Sequence, residues 1–193
     1  MIINYLKRIP HLIYFIFNFF KYKKLNLKAM LFFSVRVQGK KYITIGRNSI
    51  IQRGGWLLAA KIDENEPVLS IGDNCDIGDY CHIVSVRKVV FEDEVLLANN
   101  IYVSDNLHGY EDINVAIKNQ PVKFKKEVVL HSGCWIGENV CIIGASVGKN
   151  SIIGANSVVT SDIDDYCIAV GSPARVIKKY DLVTKQWNPV AQK

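Results

Sequence analysis

The first 41 residues contain no aspartate or glutamate, against nine lysines and arginines. The rest of the chain carries 15 basic and 18 acidic groups, a net charge of −3, so positive charge is concentrated at one end. Long hydrophobic runs are also missing. The most apolar stretch, Ile9-Pro10-His11-Leu12-Ile13-Tyr14-Phe15-Ile16-Phe17-Asn18-Phe19-Phe20, has twelve residues, and a bilayer-spanning helix needs about 20. No small-residue cleavage site follows it; Lys21-Tyr22-Lys23-Lys24 does, so a cleaved signal is not expected. There is no CxxC pair and no zinc-type spacing among the five cysteines, Cys75, Cys81, Cys134, Cys141 and Cys167. Small buried hydrophobes in a reducing cytoplasm is the reading that remains, and no metal site is expected. Spaced aromatics lining a basic groove are absent too, which argues against nucleic acid.

Basic charge and aromatics in residues 1–41 fit two compatible roles. One is a segment lying on an anionic membrane surface; the other is a helix capping the end of the fold. With nearly half of its 193 residues apolar, the chain is long enough for one domain with a sizeable core.

What is abundant is a six-residue unit. Ile71-Gly72-Asp73-Asn74-Cys75-Asp76 runs directly into Ile77-Gly78-Asp79-Tyr80-Cys81-His82. The unit returns at Ile45–Ile50, Ile136–Cys141 and Ile153–Val158, and a degenerate copy starts at Phe91. A period of six fits neither a helix face nor an alternating strand. It fits a coil of short strands and turns, with one aliphatic side chain inward per strand and Gly, Asp or Asn at the bend. Stacked coils of this kind form a β-solenoid, each coil touching only its neighbours. Two interruptions stand out. The spacing from Ile77 to Phe91 is fourteen, which puts an insertion near Val84–Val90. Residues 104–128 lack the repeat and read as a long loop leaving the coil, of the sort that carries function.

The stretch from Ile71 to about Lys179 resembles the hexapeptide-repeat acyltransferases, in particular the sugar and polysaccharide O-acetyltransferase branch. The repeats carry the likeness together with Asn99–Tyr110, Trp135–Val140 and the closing Ala169-Val170-Gly171-Ser172-Pro173-Ala174-Arg175-Val176-Ile177-Lys178-Lys179. The resemblance implies an all-β fold, a left-handed parallel β-helix. On this reading residues 1–41 are an N-terminal segment, 42–179 the β-helix with its loop 104–128, and 180–193 a short tail. It also implies a homotrimer in the cytoplasm, acetyl-coenzyme A as acyl donor, and a glycan or a nucleotide- or lipid-linked sugar as acceptor.

The resemblance implies a role for His108 as general base. Relatives acting on polysaccharide often carry a histidine two residues earlier, where this chain has Asn106. A neutral imidazole can take the proton of a sugar hydroxyl as it attacks a thioester. Asp105 or Glu111 is expected to orient it. Ser85, Asn99 and Trp135 are candidates for acceptor contact, against plain alternatives of turn chemistry and packing. For coenzyme A the candidates are backbone at Gly144, Ala145 and Ala155, then Pro173, Arg175, Lys178 and Lys179, whose cations suit phosphates. N-acetylation of an amino sugar and antibiotic acetylation are alternatives on the same fold. A zinc-dependent γ-type carbonic anhydrase is the alternative of another class, using His82, His108 and His131, although their spacing lacks a close pair.

Overall fold

The computed structural model describes residues 9–190. Its framework is three parallel sheets that the chain visits in rotation. The first contains Lys24–Leu25, Ile43–Ile45, Val68–Ile71, Lys88–Phe91 and Val128–Leu130. The second contains Met30–Leu31, Ile50–Ile51, Asp76–Ile77, Leu96–Leu97, Trp135–Ile136, Ile152–Ile153 and Cys167–Val170. The third contains Arg36–Gln38, Trp56–Ala59, His82–Ser85, Tyr102–Ser104, Cys141–Ile143 and Val158–Val159. Each circuit adds one rung to each wall, and isolated bridges at Val147 and Ile163 continue the first wall upward.

The repeat explains this arrangement directly. Its first-position apolar side chains stack in register inside the walls: Ile45 beneath Ile71 beneath Phe91, and Ile51 beneath Ile77 beneath Leu97. All are essentially fully buried, and each such side chain contributes about 1.5–3 kcal/mol through its removal from water. The fourth position carries the turn. Asn48, Asn74, Asn100, Asn139 and Asn156 have φ between 55° and 59°, the left-handed region that asparagine tolerates. The second-position glycine serves another purpose. A Cβ on Gly78 would lie 2.3 Å from the Ala98 carbonyl oxygen of the next coil, so the glycine is there because the rungs close on one another. Gly78→Ala should therefore cost about 1–3 kcal/mol through overpacking, read as a lower melting temperature by calorimetry.

The stack begins earlier than the repeat indicates. The expected boundary at residue 42 is corrected: Lys24–Leu25, Met30–Leu31 and Arg36–Gln38 already form a rung in all three sheets. Leu25, Leu31 and Val37 keep the apolar spacing, but Asn26 and Phe32 stand where glycine marks later copies. Before this rung comes a helix, Ile9–Asn18, which meets the first coils at His11, Tyr14 and Asn18. At the other end the chain reverses. Arg175–Asp181 and Gln186–Pro189 run antiparallel on the second sheet, so the expected tail is, as far as it is described, a hairpin joined to the stack. Residues 1–8 and 191–193 of the expected terminal segments lie outside the described residues.

All five cysteines are free, four of them buried. Burial pushes the Cys81 thiol up to about 11 and Cys134 up to about 12, so both stay protonated and behave as small apolar fillers.

Candidate active site

The segment after Tyr102–Ser104 leaves the stack as an arm with its own small sheet. Asn106–His108 pairs antiparallel with Val122–Phe124, setting His108 opposite Val122. The sequence shows only an excursion here; no short turn motif announces a hairpin. The tip is held instead by one side chain. Gln120 donates to the Asp112 and Val115 carbonyls, both at 2.9 Å, and accepts from the Asp112 N–H at 3.3 Å. Gly109 N–H closes the neck onto the Pro121 carbonyl at 2.8 Å. His108 is exposed and has no hydrogen-bond partner among the described residues, so its ring nitrogens are free to meet a substrate.

The base of the arm is fixed by Asp105. Its carboxylate is fully buried and accepts from the backbone N–H groups of Val86, Arg87 and Lys88 at 2.8–2.9 Å. It also takes the Asn106 amide at 3.0 Å and the Ser85 hydroxyl at 3.4 Å. Those three N–H groups belong to the insertion near Val84–Val90, which turns a sharp corner and would otherwise leave them unpaired. The Asp105 carbonyl meanwhile accepts from Lys125 N–H at 2.8 Å, where the arm returns. The expectation that Asp105 orients His108 is corrected on this ground: its oxygens are committed to the corner. Ser85 is corrected likewise. It is fully buried, donates to the Val68 carbonyl at 2.8 Å, and offers an acceptor nothing. Glu111 is exposed and paired with Lys123 at 2.8 Å. That lysine is the main reason its carboxyl sits below the usual range, and it ties the arm together rather than holding His108. Asn99 has the turn role: its Oδ1 accepts the Asp79 N–H at 2.8 Å, and its own N–H donates to Glu138.

The corner at Gly144 lies against the same base. Gly144 N–H donates to the Ser104 carbonyl at 2.7 Å, and the Lys125 ammonium to the Ile143 carbonyl at 2.7 Å. Gly144 has φ 55°, and a Cβ there would strike the Lys125 side chain. Ala145 is buried and presents only backbone. Higher on the same wall, Ala174 N–H donates to the Val158 carbonyl at 2.8 Å, which brings the Pro173–Ala174 segment to the top of the third sheet, while Arg175 begins the strand paired on the second. The structure thus ties the Gly144–Ala145 corner to the base of the arm that carries His108, with Pro173 at the upper end of the same wall and Arg175 on the second. Ala155 is exposed at a turn of the second wall. Trp135 and Lys178 also belong to that wall, as does Lys179, which is paired with Asp164 at 3.1 Å.

One feature of this wall escaped the sequence reading. Arg36, Trp56, His82 and Tyr102 stack on successive rungs of the third sheet. The Trp56 and His82 rings are 4.2 Å apart and nearly parallel, Tyr102 follows at 5.3 Å, and the Arg36 guanidinium lies 4.4 Å from Trp56. Burial, then the Arg36 charge, lowers the His82 pKa, which keeps the ring neutral. The insertions between these rungs hide the common phase. Among the described residues no three metal-ligating side chains gather. His131 is held 3.1 Å from Glu92, and a groove of about 570 Å³ beside it is lined by Asp162, Asp164 and Asp165 and by Lys179, whose ammonium is already paired with Asp164.

Residues 68–105 and 131–161 match the model described as the hexapeptide repeat of succinyl-transferase. Over these residues the chain is similar to the hexapeptide-repeat acyltransferases. It is 38% identical over 64 residues to the galactoside O-acetyltransferase of Lactococcus lactis, covering 33% of this chain and 31% of that one. It is 43% identical over 61 residues to an Escherichia coli K12 protein provisionally named a lipopolysaccharide biosynthesis O-acetyl transferase, covering 31% of each. The matched stretch spans about a quarter to two fifths of these and similar curated relatives. Among solved structures, a maltose O-acetyltransferase from Clostridium difficile 630 superposes with TM-score 0.51 at 26% identity, over 83% of this chain and 71% of that one. The N-acyltransferase AntD from Bacillus cereus, in complex with dTDP and 3-hydroxybutyryl-CoA, superposes with TM-score 0.70 at 19% identity, over 84% of this chain and 86% of that one. This last likeness concerns the fold alone.

Proposed function

We propose that this chain is an acetyl-coenzyme A-dependent O-acetyltransferase acting on a sugar hydroxyl in envelope, capsule or O-antigen glycan assembly. The observation that carries the reading is the arm, which is bonded at its base to the Gly144 corner and carries His108, exposed and without a hydrogen-bond partner among the described residues. The walls wind left-handed, and three copies assemble in the cytoplasm with the site between neighbours. Such an assembly is how second-wall residues, Trp135 and Ala155 among them, would meet a third-wall site. Coenzyme A lies along the upper rungs, with Arg175 near its phosphates. Pro173 packs against its chain, and Lys178 and Lys179 belong to the solvated surface.

The reaction needs no covalent enzyme intermediate. The acceptor oxygen attacks the thioester carbonyl carbon while the His108 imidazole takes the hydroxyl proton. A backbone N–H, for which the Gly144–Ala145 corner is the nearest candidate, faces the developing oxyanion. The intermediate collapses, the carbon–sulfur bond breaks, and the imidazolium returns its proton to the departing thiolate. The products are an acetyl ester and free coenzyme A, with the imidazole regenerated.

The reading is tested by incubating the protein with acetyl-coenzyme A and a panel of neutral glycans, amino sugars and aminoglycosides, following thiol release and acceptor mass. Release only with hydroxyl acceptors supports it. Release only with amino acceptors makes the chain an N-acetyltransferase, and bicarbonate formation in place of thiol release makes it a hydratase.

A further inference from the structure

The helix Ile9–Asn18 is inverted relative to an ordinary surface helix, which turns apolar residues inward and polar ones out. Here the polar groups face the protein. His11 Nδ1 bonds the Leu31 carbonyl at 2.9 Å, Tyr14 and Tyr22 hydroxyls meet at 2.6 Å, and Asn18 Oδ1 accepts from the Lys40 ammonium at 2.7 Å. These positions recur at helical spacing and define one face. The opposite face presents Ile9, Leu12, Ile13, Ile16 and Phe17, all exposed, and Phe20 continues it at 67% exposure. The first coil adds Phe33, which is 91% exposed. The helix is docked by its polar contacts, and its aliphatic side is left open.

Charge singles out the same end. No acidic residue occurs before Asp63, while twelve lysines and arginines do; the remainder carries 12 basic and 18 acidic groups. Because each circuit adds one rung, place in the sequence is height in the stack. Charge is therefore sorted along the axis, with Lys21, Lys23, Lys24, Lys28 and Lys41 exposed at the end of the stack that carries the open apolar face.

We infer that this end docks on an anionic lipid bilayer, the helix lying in the interface plane with its aliphatic side among the acyl chains and the lysines among the headgroups. Among the described residues no helix is long and apolar enough to cross a membrane. A second copy is a poorer occupant, because it would press two strongly positive ends together; nucleic acid would leave the apolar face nothing to enter. The arm leaves the fourth rung, three intervals or about 14 Å above the first at ladder spacing. A glycan still attached to its lipid would be met near that height. That consequence rests on the acetyl-transfer reading; the docking itself does not.

The test is sedimentation of the whole protein with vesicles of phosphatidylcholine alone or mixed with phosphatidylglycerol, alongside light scattering of the free protein. The protein should sediment with the mixed vesicles, be released in part by high salt, and stay in solution with phosphatidylcholine. Phe17→Ser/Phe20→Ser/Phe33→Ser should bind about tenfold or more weakly at unchanged oligomeric state. Lys23→Glu/Lys28→Glu, at two exposed positions, should lose affinity and salt dependence together. Absence of binding to anionic vesicles, or full binding by both variants, would overturn the inference. So would a smaller oligomer for the phenylalanine variant, which would make the face a contact between copies.

Discussion

His108→Ala is expected to lower acetyl transfer by about 10²–10⁴-fold, the usual contribution of a positioned base, with the melting temperature unchanged. The structural half of this expectation follows from where the residue sits. His108 is exposed, and the pairing opposite Val122 that holds its strand uses backbone, which alanine keeps. The chemical half follows from the acceptor. A sugar hydroxyl is a weak nucleophile at neutral pH, and a neutral imidazole is the group on this arm suited to take its proton. Loss should fall on kcat, because the imidazole acts as the proton moves and contributes little to holding either substrate. Steady-state kinetics beside a thermal melt would check both halves. Near-normal turnover in the variant would remove His108 from the mechanism.

Asp105→Ala is expected to have the largest effect on stability. The change leaves the Val86, Arg87 and Lys88 N–H groups without their shared acceptor. Each unsatisfied buried donor costs about 1–3 kcal/mol, so a loss of about 3–5 kcal/mol and a fall in melting temperature on the order of 10 °C are expected. Asp105→Asn keeps one acceptor oxygen and should fall between. Activity should drop in both, since the same residue anchors the returning arm at Lys125. A merely orienting carboxylate would behave differently, losing turnover with no change in melting. Calorimetry on the pair separates the two roles.

The contrast between these residues shows what a sequence can and cannot reveal. The walls are legible because most rungs repeat one local rule: an apolar side chain inward and, at many of the corners, an asparagine in the left-handed turn. The rule weakens where its markers are replaced, which is why the first rung, with Asn26 and Phe32 for glycine, reads as part of a basic terminal segment. His108 is legible through the resemblance and its place in a non-repeating excursion. The Asp105 corner is not, because its partners lie 17–19 residues back inside an insertion. Nor does any pattern show that Ser85 and Asp105 face inward while Asn106–His108 swings out. The Trp56–His82–Tyr102 stack is lost to spacing, since insertions of unequal length separate rungs that lie directly above one another.

The central claim is that an acetyl thioester and the His108 imidazole meet at the foot of the arm. A crystal structure with bound acetyl-coenzyme A tests it most directly. The account predicts the pantetheine running along the upper rungs past Gly144, with the acetyl carbonyl close enough to His108 for an intervening hydroxyl to touch both, its oxygen about 3–3.5 Å from the carbonyl carbon. A thioester seated elsewhere, with His108 facing bulk water in the assembled protein, would contradict it.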